Sequence, residues 1–326
     1  MKAEILKILK TQQEYISGQQ MSEDLGVTRT TVWKIIKQLR EEGYRIDSIT
    51  NKGYQLLAIP DILTCDEIKP VLKTEYFGAD IYDYKEVTST NKLAKIKAAE
   101  GAKEGALLIA ETQTAGRGRL GKVWDSPEGT GIWMSIILRP PILPQDVSGI
   151  TLMAGLAMCQ GIREITGLPA YIKWPNDVVI NGKKVCGILT EMSAEMERVN
   201  YVIVGIGINV NTKDFPQELE EVATSLKVEG KQDYKRKDIV ASTMIFFEKH
   251  YKECMKQGSI SPILGQYKDL CVTLKNQVKI ISKEETYEAI PVDINPAGAL
   301  IVGKKDGTKE IITSGEVSVR GIYGYV

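Results

Sequence analysis

Gln113-Thr114-Ala115-Gly116-Arg117-Gly118-Arg119-Leu120-Gly121-Lys122-Val123-Trp124 is the stretch on which the reading of this 326-residue chain turns. It lies between two apolar runs with strand character, residues 107–110 and 132–138. Glycines in such a loop let backbone N–H groups come close to an anion. Arg117 and Arg119 add permanent positive charge and forked donors that suit carboxylate or phosphate. RNA-binding arginine-glycine segments share this composition, but they are repetitive and disordered, whereas this loop is single and flanked by strands. The pattern favours a small bound anion.

Downstream, Lys173-Trp174-Pro175-Asn176-Asp177 leads through Val178-Val179-Ile180 and Asn181-Gly182 into Lys183-Lys184-Val185-Cys186-Gly187-Ile188-Leu189. Asn-Gly between β-branched runs signals a two-residue hairpin. That turn predicts Ile180 opposite Lys183, Val179 opposite Lys184, and Asp177 opposite Cys186. Strand alternation then places Asp177, Val179, Lys184 and Cys186 on one face. The Lys184–Asp177 diagonal fits an ordinary cross-strand ion pair, and equally the two signs of a nucleotide–magnesium assembly. Spacing leaves both open. Gly205 and Gly207 read as positions of close strand and ligand approach.

Upstream, Ile5, Ile8 and Leu9 mark a helix, and a short second helix runs from Ser17 to Gly26. Thr28 can cap a third, with Val32, Ile35, Ile36 and Leu39 as its apolar face. Helix, glycine turn, helix is the helix-turn-helix pattern. Its exposed positions, Arg29, Thr30, Thr31, Lys34, Lys37 and Arg40, include no acid, so this face suits DNA phosphates and base edges. A hairpin around Asn51-Lys52-Gly53 completes a winged helix. The competing reading is a helical module for protein contacts. Trp33 is expected to pack partly against the wing.

The 42 basic and 42 acidic residues cancel, so any nucleic-acid contact must come from a local basic patch. Five cysteines, odd in number and scattered, argue for a reducing compartment and against a disulfide framework or zinc site. Neither a signal peptide nor an apolar run of membrane-spanning length is found, and a cytoplasmic location is expected. The single histidine, His250, sits among Phe246, Phe247 and Tyr251 and reads as structural.

Taken together, Gly116-Arg117-Gly118-Arg119-x-Gly121-x-x-Trp124, Lys173-Trp174-Pro175-Asn176-Asp177, Lys184-x-x-Gly187-Ile188-Leu189-x-Glu191, Gly205-Ile206-Gly207-Ile208-Asn209-Val210-Asn211 and Ser89-Thr90-Asn91 resemble the motifs of the biotin–protein ligases. With the winged helix in front, essentially the whole chain resembles the bifunctional biotin ligase and biotin operon repressor. The resemblance implies joining of biotin to ATP, with Mg2+, as biotinyl-5′-AMP. The acyl group then passes to a lysine of the biotin carboxyl carrier domain of acetyl-CoA carboxylase or a related carboxylase. Catalysis by charge stabilisation and positioning agrees with a chain holding one histidine, since no Ser–His–Asp relay is needed.

By the same resemblance Ser89, Thr90, Asn91 and Gln113 surround the biotin head, while Arg117, Gly118, Arg119 and Lys184 meet its carboxylate and the activated phosphate. Arg119 and Lys184 carry the catalytic role. Trp124, Lys173, Asn176, Asn209 and Arg320 fall to the nucleotide, and Asp177 to magnesium. For Ser89 the structural alternative is a helix N-cap, and for Trp124 core packing. Biotinyl-5′-AMP would also act as co-repressor, promoting a homodimer on operator DNA at biotin synthesis and transport genes.

The predicted architecture is α+β and multidomain. It comprises a winged helix-turn-helix over residues 1–60, a mixed-sheet α/β catalytic domain over 65–270, and an SH3-like β-barrel over 271–326. Ala58-Ile59-Pro60-Asp61 forms the first linker. Two rivals are a lipoate–protein ligase and a ligand-sensing transcription factor without chemistry. The arginine-glycine loop and winged helix favour biotin over lipoate, and Arg117, Arg119, Lys173 and Lys184 speak against a mere sensor.

Overall fold

The computed structural model describes residues 1–282, 285–313, 318–321 and 325–326. Gly315, Glu316 and Val317 of the motif leading to Arg320 lie outside them. Two compact units emerge, Met1–Asp61 and Ile62–Val326.

The first unit has three helices, α1 (Lys2–Thr11), α2 (Gly18–Leu25) and α3 (Arg29–Glu41), then strands β1 (Arg45–Ile49) and β2 (Gly53–Ala58). Ser17 caps α2 by accepting from the Gln20 N–H, and Gly26 ends it at φ 63°. Thr28 caps α3 by accepting from Thr31 N–H. Ile5, Leu6, Leu9, Met21, Val32, Ile36 and Leu39 make the core. Arg29, Thr30, Lys34 and Lys37 stand exposed on α3 and Thr31 is half-buried. Arg40 instead turns its guanidinium to the Ile46 carbonyl, with Nη2 at 2.8 Å, which ties α3 to the wing. Trp33 is 53% exposed, and the Lys37 ammonium lies 6.0 Å from its ring.

The second unit is built on a seven-stranded sheet. Its strands are β3 (Ile81–Val87), β4 (Leu107–Gln113), β5 (Gly131–Leu138), β6 (Tyr171–Lys173), β7 (Asp177–Ile180), β8 (Lys183–Glu195) and β9 (Arg198–Asn209). The order is β3-β4-β5-β9-β8-β7-β6, with β3 and β4 parallel and the other pairs antiparallel. The helices are α4 (Cys65–Ile68), α5 (Thr90–Ala99), α6 (Ser148–Thr166), α7 (Leu226–Gly230), α8 (Arg236–Gln257) and α9 (Ser261–Leu270). Strands buried on both faces alternate their allegiance. Leu107 and Ile109 join the large core with α6 and α8, while Leu108 joins a smaller one with Ala94 and Ala98 of α5.

Strands β10 (Val278–Ile281), β11 (Thr286–Ile294), β12 (Leu300–Gly303), β13 (Lys309–Ile312) and β14 (Ser318–Gly321) form a sheet in the order β13-β12-β11-β10-β14. The residues after 271 are thus a β-sheet domain, and among the described residues no pairing joins β13 to β14. Its inner residues, among them Val278, Ile280 and Leu300, share the large core with the main sheet. Trp174 bridges the two, its backbone N–H donating to Thr273 Oγ1 at 2.9 Å and its Nε1 to the Gly298 carbonyl at 3.0 Å.

One register expectation fails. Asn181 and Gly182 do make the tight turn, both with positive φ, and Ile180–Lys183 and Val179–Lys184 pair as predicted. The next pair is Val178–Cys186, then Asp177–Gly187, so Val185 is the extra residue of a β-bulge. The slip turns Cys186 away from Asp177 and into the large core beside Val178.

Candidate functional site

Two adjoining cavities open across the middle of the second unit's sheet. The first is lined by Ser89, Thr90, Asn91, Gln113, Arg117, Gly118, Arg119, Trp124, Asn176 and Lys184, together with Gly187, Gly205 and Gly207. Lys173, Asp177, Asn209 and Arg320 line the second, which also shares Gly118, Arg119, Trp124, Asn176 and Lys184. The fourteen residues that the sequence assigns to biotin, nucleotide or magnesium therefore all line one of two neighbouring hollows, although they come from stretches more than two hundred residues apart.

A continuous polar network walls the first cavity. Gln113 Oε1, at the end of β4, accepts from Thr90 N–H at 2.9 Å and from its hydroxyl at 3.1 Å. Gln113 Nε2 donates to Ser126 Oγ at 2.9 Å. Ser135 Oγ lies 2.8 Å from Thr90 Oγ1 and 2.6 Å from Asn91 Oδ1. Asn91 Nδ2 donates to Glu191 Oε2 at 2.8 Å, and Glu191 Oε1 pairs with Lys95 at 2.6 Å. Buried polar groups need partners, and here they hold one another in place. Ser89 occupies the N-cap position of α5, yet its side chain makes no capping bond.

Glycines shape the floor. A Cβ at Gly205 would collide with the Asn91 amide, and one at Gly207 would lie 2.5 Å from Trp124 Nε1. At Gly187 it would meet both Trp124 and the Lys184 ammonium. The half-buried Trp124 ring thus lies across two glycines, packs edge-to-face on Trp133 at 6.5 Å, and carries Lys184 Nζ 4.9 Å from its centroid. Its Nε1 is buried and finds no hydrogen-bond partner among the described residues.

The second cavity gathers five cationic side chains, Arg119, Lys122, Lys173, Lys184 and Arg320, with Asp125, Asp177, Asp214 and Glu218 also on its wall. Lys184 Nζ pairs with Asp177 Oδ1 at 2.6 Å, and Asn176 Nδ2 donates to the same oxygen at 3.1 Å. Arg119 Nη1 reaches over to Asn176 Oδ1 at 2.9 Å. Lys173 is 5% exposed, and burial pulls its pKa down to about 8. Asp177 works against that shift, while Lys184, Arg320 and Lys122 add to it. Asn209 fixes the neighbouring loop by donating to the Thr224 carbonyl at 3.1 Å. That loop also runs beside Lys184, whose N–H donates to Val222 O and whose carbonyl accepts from Thr224 N–H, both at 2.8 Å. Among the described residues no cluster of three metal-ligating side chains exists. Asp177 offers one carboxylate, so a magnesium ion there would draw its other ligands from phosphate oxygens and water.

Sequence reasoning missed Ser135, Ser126 and Tyr325. Ser135 did leave a signal, a lone hydroxyl within the apolar run 132–138, where a doubly buried strand has no use for one without a partner. Tyr325 left none. His250 is buried, with Nε2 2.6 Å from Gln160 Oε1 and its pKa lowered to about 4 by burial, and it lines neither cavity.

Comparison with known proteins defines the class first. The Biotin/lipoate A/B protein ligase family profile matches residues 84–209, an HTH domain matches 2–55, and the Biotin protein ligase C terminal domain matches 274–320. The bifunctional ligase/repressor BirA of Bacillus subtilis is 42% identical over 303 residues, covering 92% of this chain and 93% of its own. Its Escherichia coli counterpart is 28% identical and covers 94% of each chain. The biotin protein ligase from Aquifex aeolicus in complex with biotin and ATP superposes with a TM-score of 0.66 at 31% identity, spanning 74% of this chain and 99% of that one. The chain belongs to the bifunctional biotin ligase/repressor family.

Proposed function

We propose that the chain condenses biotin with ATP to biotinyl-5′-AMP, passes the biotinyl group to a carrier lysine, and represses transcription through its N-terminal unit. The observation that carries this reading is the meeting of a neutral polar cradle and a glycine floor with a neighbouring hollow that gathers Arg119, Lys122, Lys173, Lys184 and Arg320, the two sharing Arg119, Trp124, Asn176 and Lys184. A bicyclic urea has N–H and C=O groups that must be paired when buried, and Ser89, Thr90, Asn91 and Gln113 supply both kinds of partner. Its aliphatic tail would run over Trp124 toward Lys184, where Arg117, Gly118 and Arg119 close from above. A carboxylate held there would attack the α-phosphorus of ATP, with pyrophosphate leaving into the pocket lined by Lys173, Asn176, Asn209 and Arg320. The acceptor amine then attacks the acyl carbon, AMP leaves, and no covalent enzyme intermediate is required. Before substrate arrives Asp177 holds Lys184 in position, and it would give magnesium brought by the nucleotide a protein carboxylate.

The acceptor is the biotin carboxyl carrier domain of acetyl-CoA carboxylase or a related carboxylase, and the operator contact is made by Arg29, Thr30, Thr31, Lys34 and Lys37 of α3. We further read the protein as cytoplasmic. Its domains fall at residues 1–60, 65–270 and 271–326, the last an SH3-like barrel. A ligand-promoted homodimer would follow if the adenylate orders loops 113–124 and 212–225, since a ligand favours the dimer only by binding it better. The hydrogen bonds joining the latter loop to Lys184 give such coupling a physical route. Parallel assays of adenylate formation with biotin and lipoate test the acid specificity. Biotin-dependent pyrophosphate release supports the reading, and preference for lipoate defeats it.

A further inference from the structure

Tyr325 enters the second cavity from a part of the chain that carries none of the recognised motifs. Its hydroxyl donates to Asp177 Oδ2 across 148 residues of sequence. Its ring receives the Lys173 ammonium 3.4 Å from the centroid. Arg119, Lys122 and Arg320 border the same hollow.

Asp177 now has donors on both oxygens, Lys184 and Asn176 on Oδ1 and Tyr325 on Oδ2. An anion arriving beside Lys184 competes with Asp177 for that ammonium. As Lys184 turns to the anion, the largely buried carboxylate is without that partner until magnesium arrives with the nucleotide, and such a group is costly unless other donors remain. Tyr325 is such a donor. The same ring supports Lys173 through its electron-rich face, so one side chain fixes two groups of the phosphate pocket.

We propose that Tyr325 is a positioning residue for nucleotide activation, holding Asp177 and Lys173 in the geometry that receives the phosphates when Lys184 engages the substrate. The inference rests on the adenylating activity proposed above. Wild-type protein is therefore assayed first, and failure to form biotinyl-AMP there would sink that activity rather than this role.

Tyr325→Phe keeps the ring and removes the hydroxyl. It should raise KM for ATP about tenfold, the scale of a hydrogen bond to a charged group, and leave KM for biotin unchanged. Calorimetric affinity for a non-hydrolysable ATP analogue should fall by the same factor. Tyr325→Leu, which also removes the ring face, should weaken ATP further. In an Asp177→Asn background the added Tyr325→Phe change should have little effect, because its partner charge is gone. An unchanged or lowered KM for ATP in Tyr325→Phe would overturn the proposal. So would an undiminished effect in the Asp177→Asn background, or an equal rise in KM for biotin.

Discussion

Burial of the Lys173 ammonium has a consequence that can be titrated. The native lysine loses its proton near pH 8, whereas the unfolded one keeps it to about 10.5. Between those values the unfolded chain binds more protons, so this group's contribution to stability rises with pH in that window. On the proposed role of Lys173 in phosphate binding, which needs the charged form, ATP affinity should weaken as pH climbs through about 8, and Lys173→Met should flatten that dependence in calorimetry. Lys184 stands 2.6 Å from Asp177 at the junction of the two cavities. Lys184→Met should slow biotinyl-AMP formation by about a hundredfold, as loss of a preorganised charge does; near-normal rates would reduce it to an ion-pair residue. Arg119 reaches from the loop to Asn176 and lines both cavities. Arg119→Ala should let the adenylate escape and label bystander lysines, read by mass spectrometry of an added inert protein.

At the level of strands and helices, local signals were legible and long-range ones were not. The Asn181-Gly182 turn, the Thr28 cap and the Gly26 stop all follow from residue chemistry within a few positions. The bulge at Val185 has no local signature, because a register is settled by what the strand packs against, and here Cys186 goes to the core. The same holds for Arg236, fully buried at the start of α8. It donates to Glu111 Oε2 at 2.8 Å and to Gly131 O at 3.0 Å, while Glu111 Oε1 accepts from Leu63 N–H at 2.7 Å. Partners 125 residues apart cannot be matched from spacing. Arg236→Ala leaves Glu111 largely buried without its charge partner and should cost about 3–5 kcal/mol in chemical denaturation. Gly205→Ala would push the Asn91 amide aside, so biotin affinity should fall with little change in ATP affinity.

Across the whole molecule the two compact units divide the labour. The sequence offered the winged helix through its caps and acid-free face, and the cleft through its motifs. It offered no means of seeing that the strands after 271 share a core with the main sheet. No helix among the described residues is long and apolar enough to cross a membrane. Operator binding through Arg29, Lys34 and Lys37 should weaken steeply with salt, by a log–log slope of about 0.9 per phosphate neutralised. Arg29→Ala with Lys34→Ala should lower affinity and slope together while ligation continues. The most direct test of the central claim is to incubate the chain with ATP, magnesium, biotin and a biotin carboxyl carrier domain and to weigh the products. The account predicts a carrier heavier by one biotinyl group on a single lysine, with biotinyl-AMP present before the carrier is added. A carrier of unchanged mass, and no AMP-linked biotin on the protein or in solution, would contradict it.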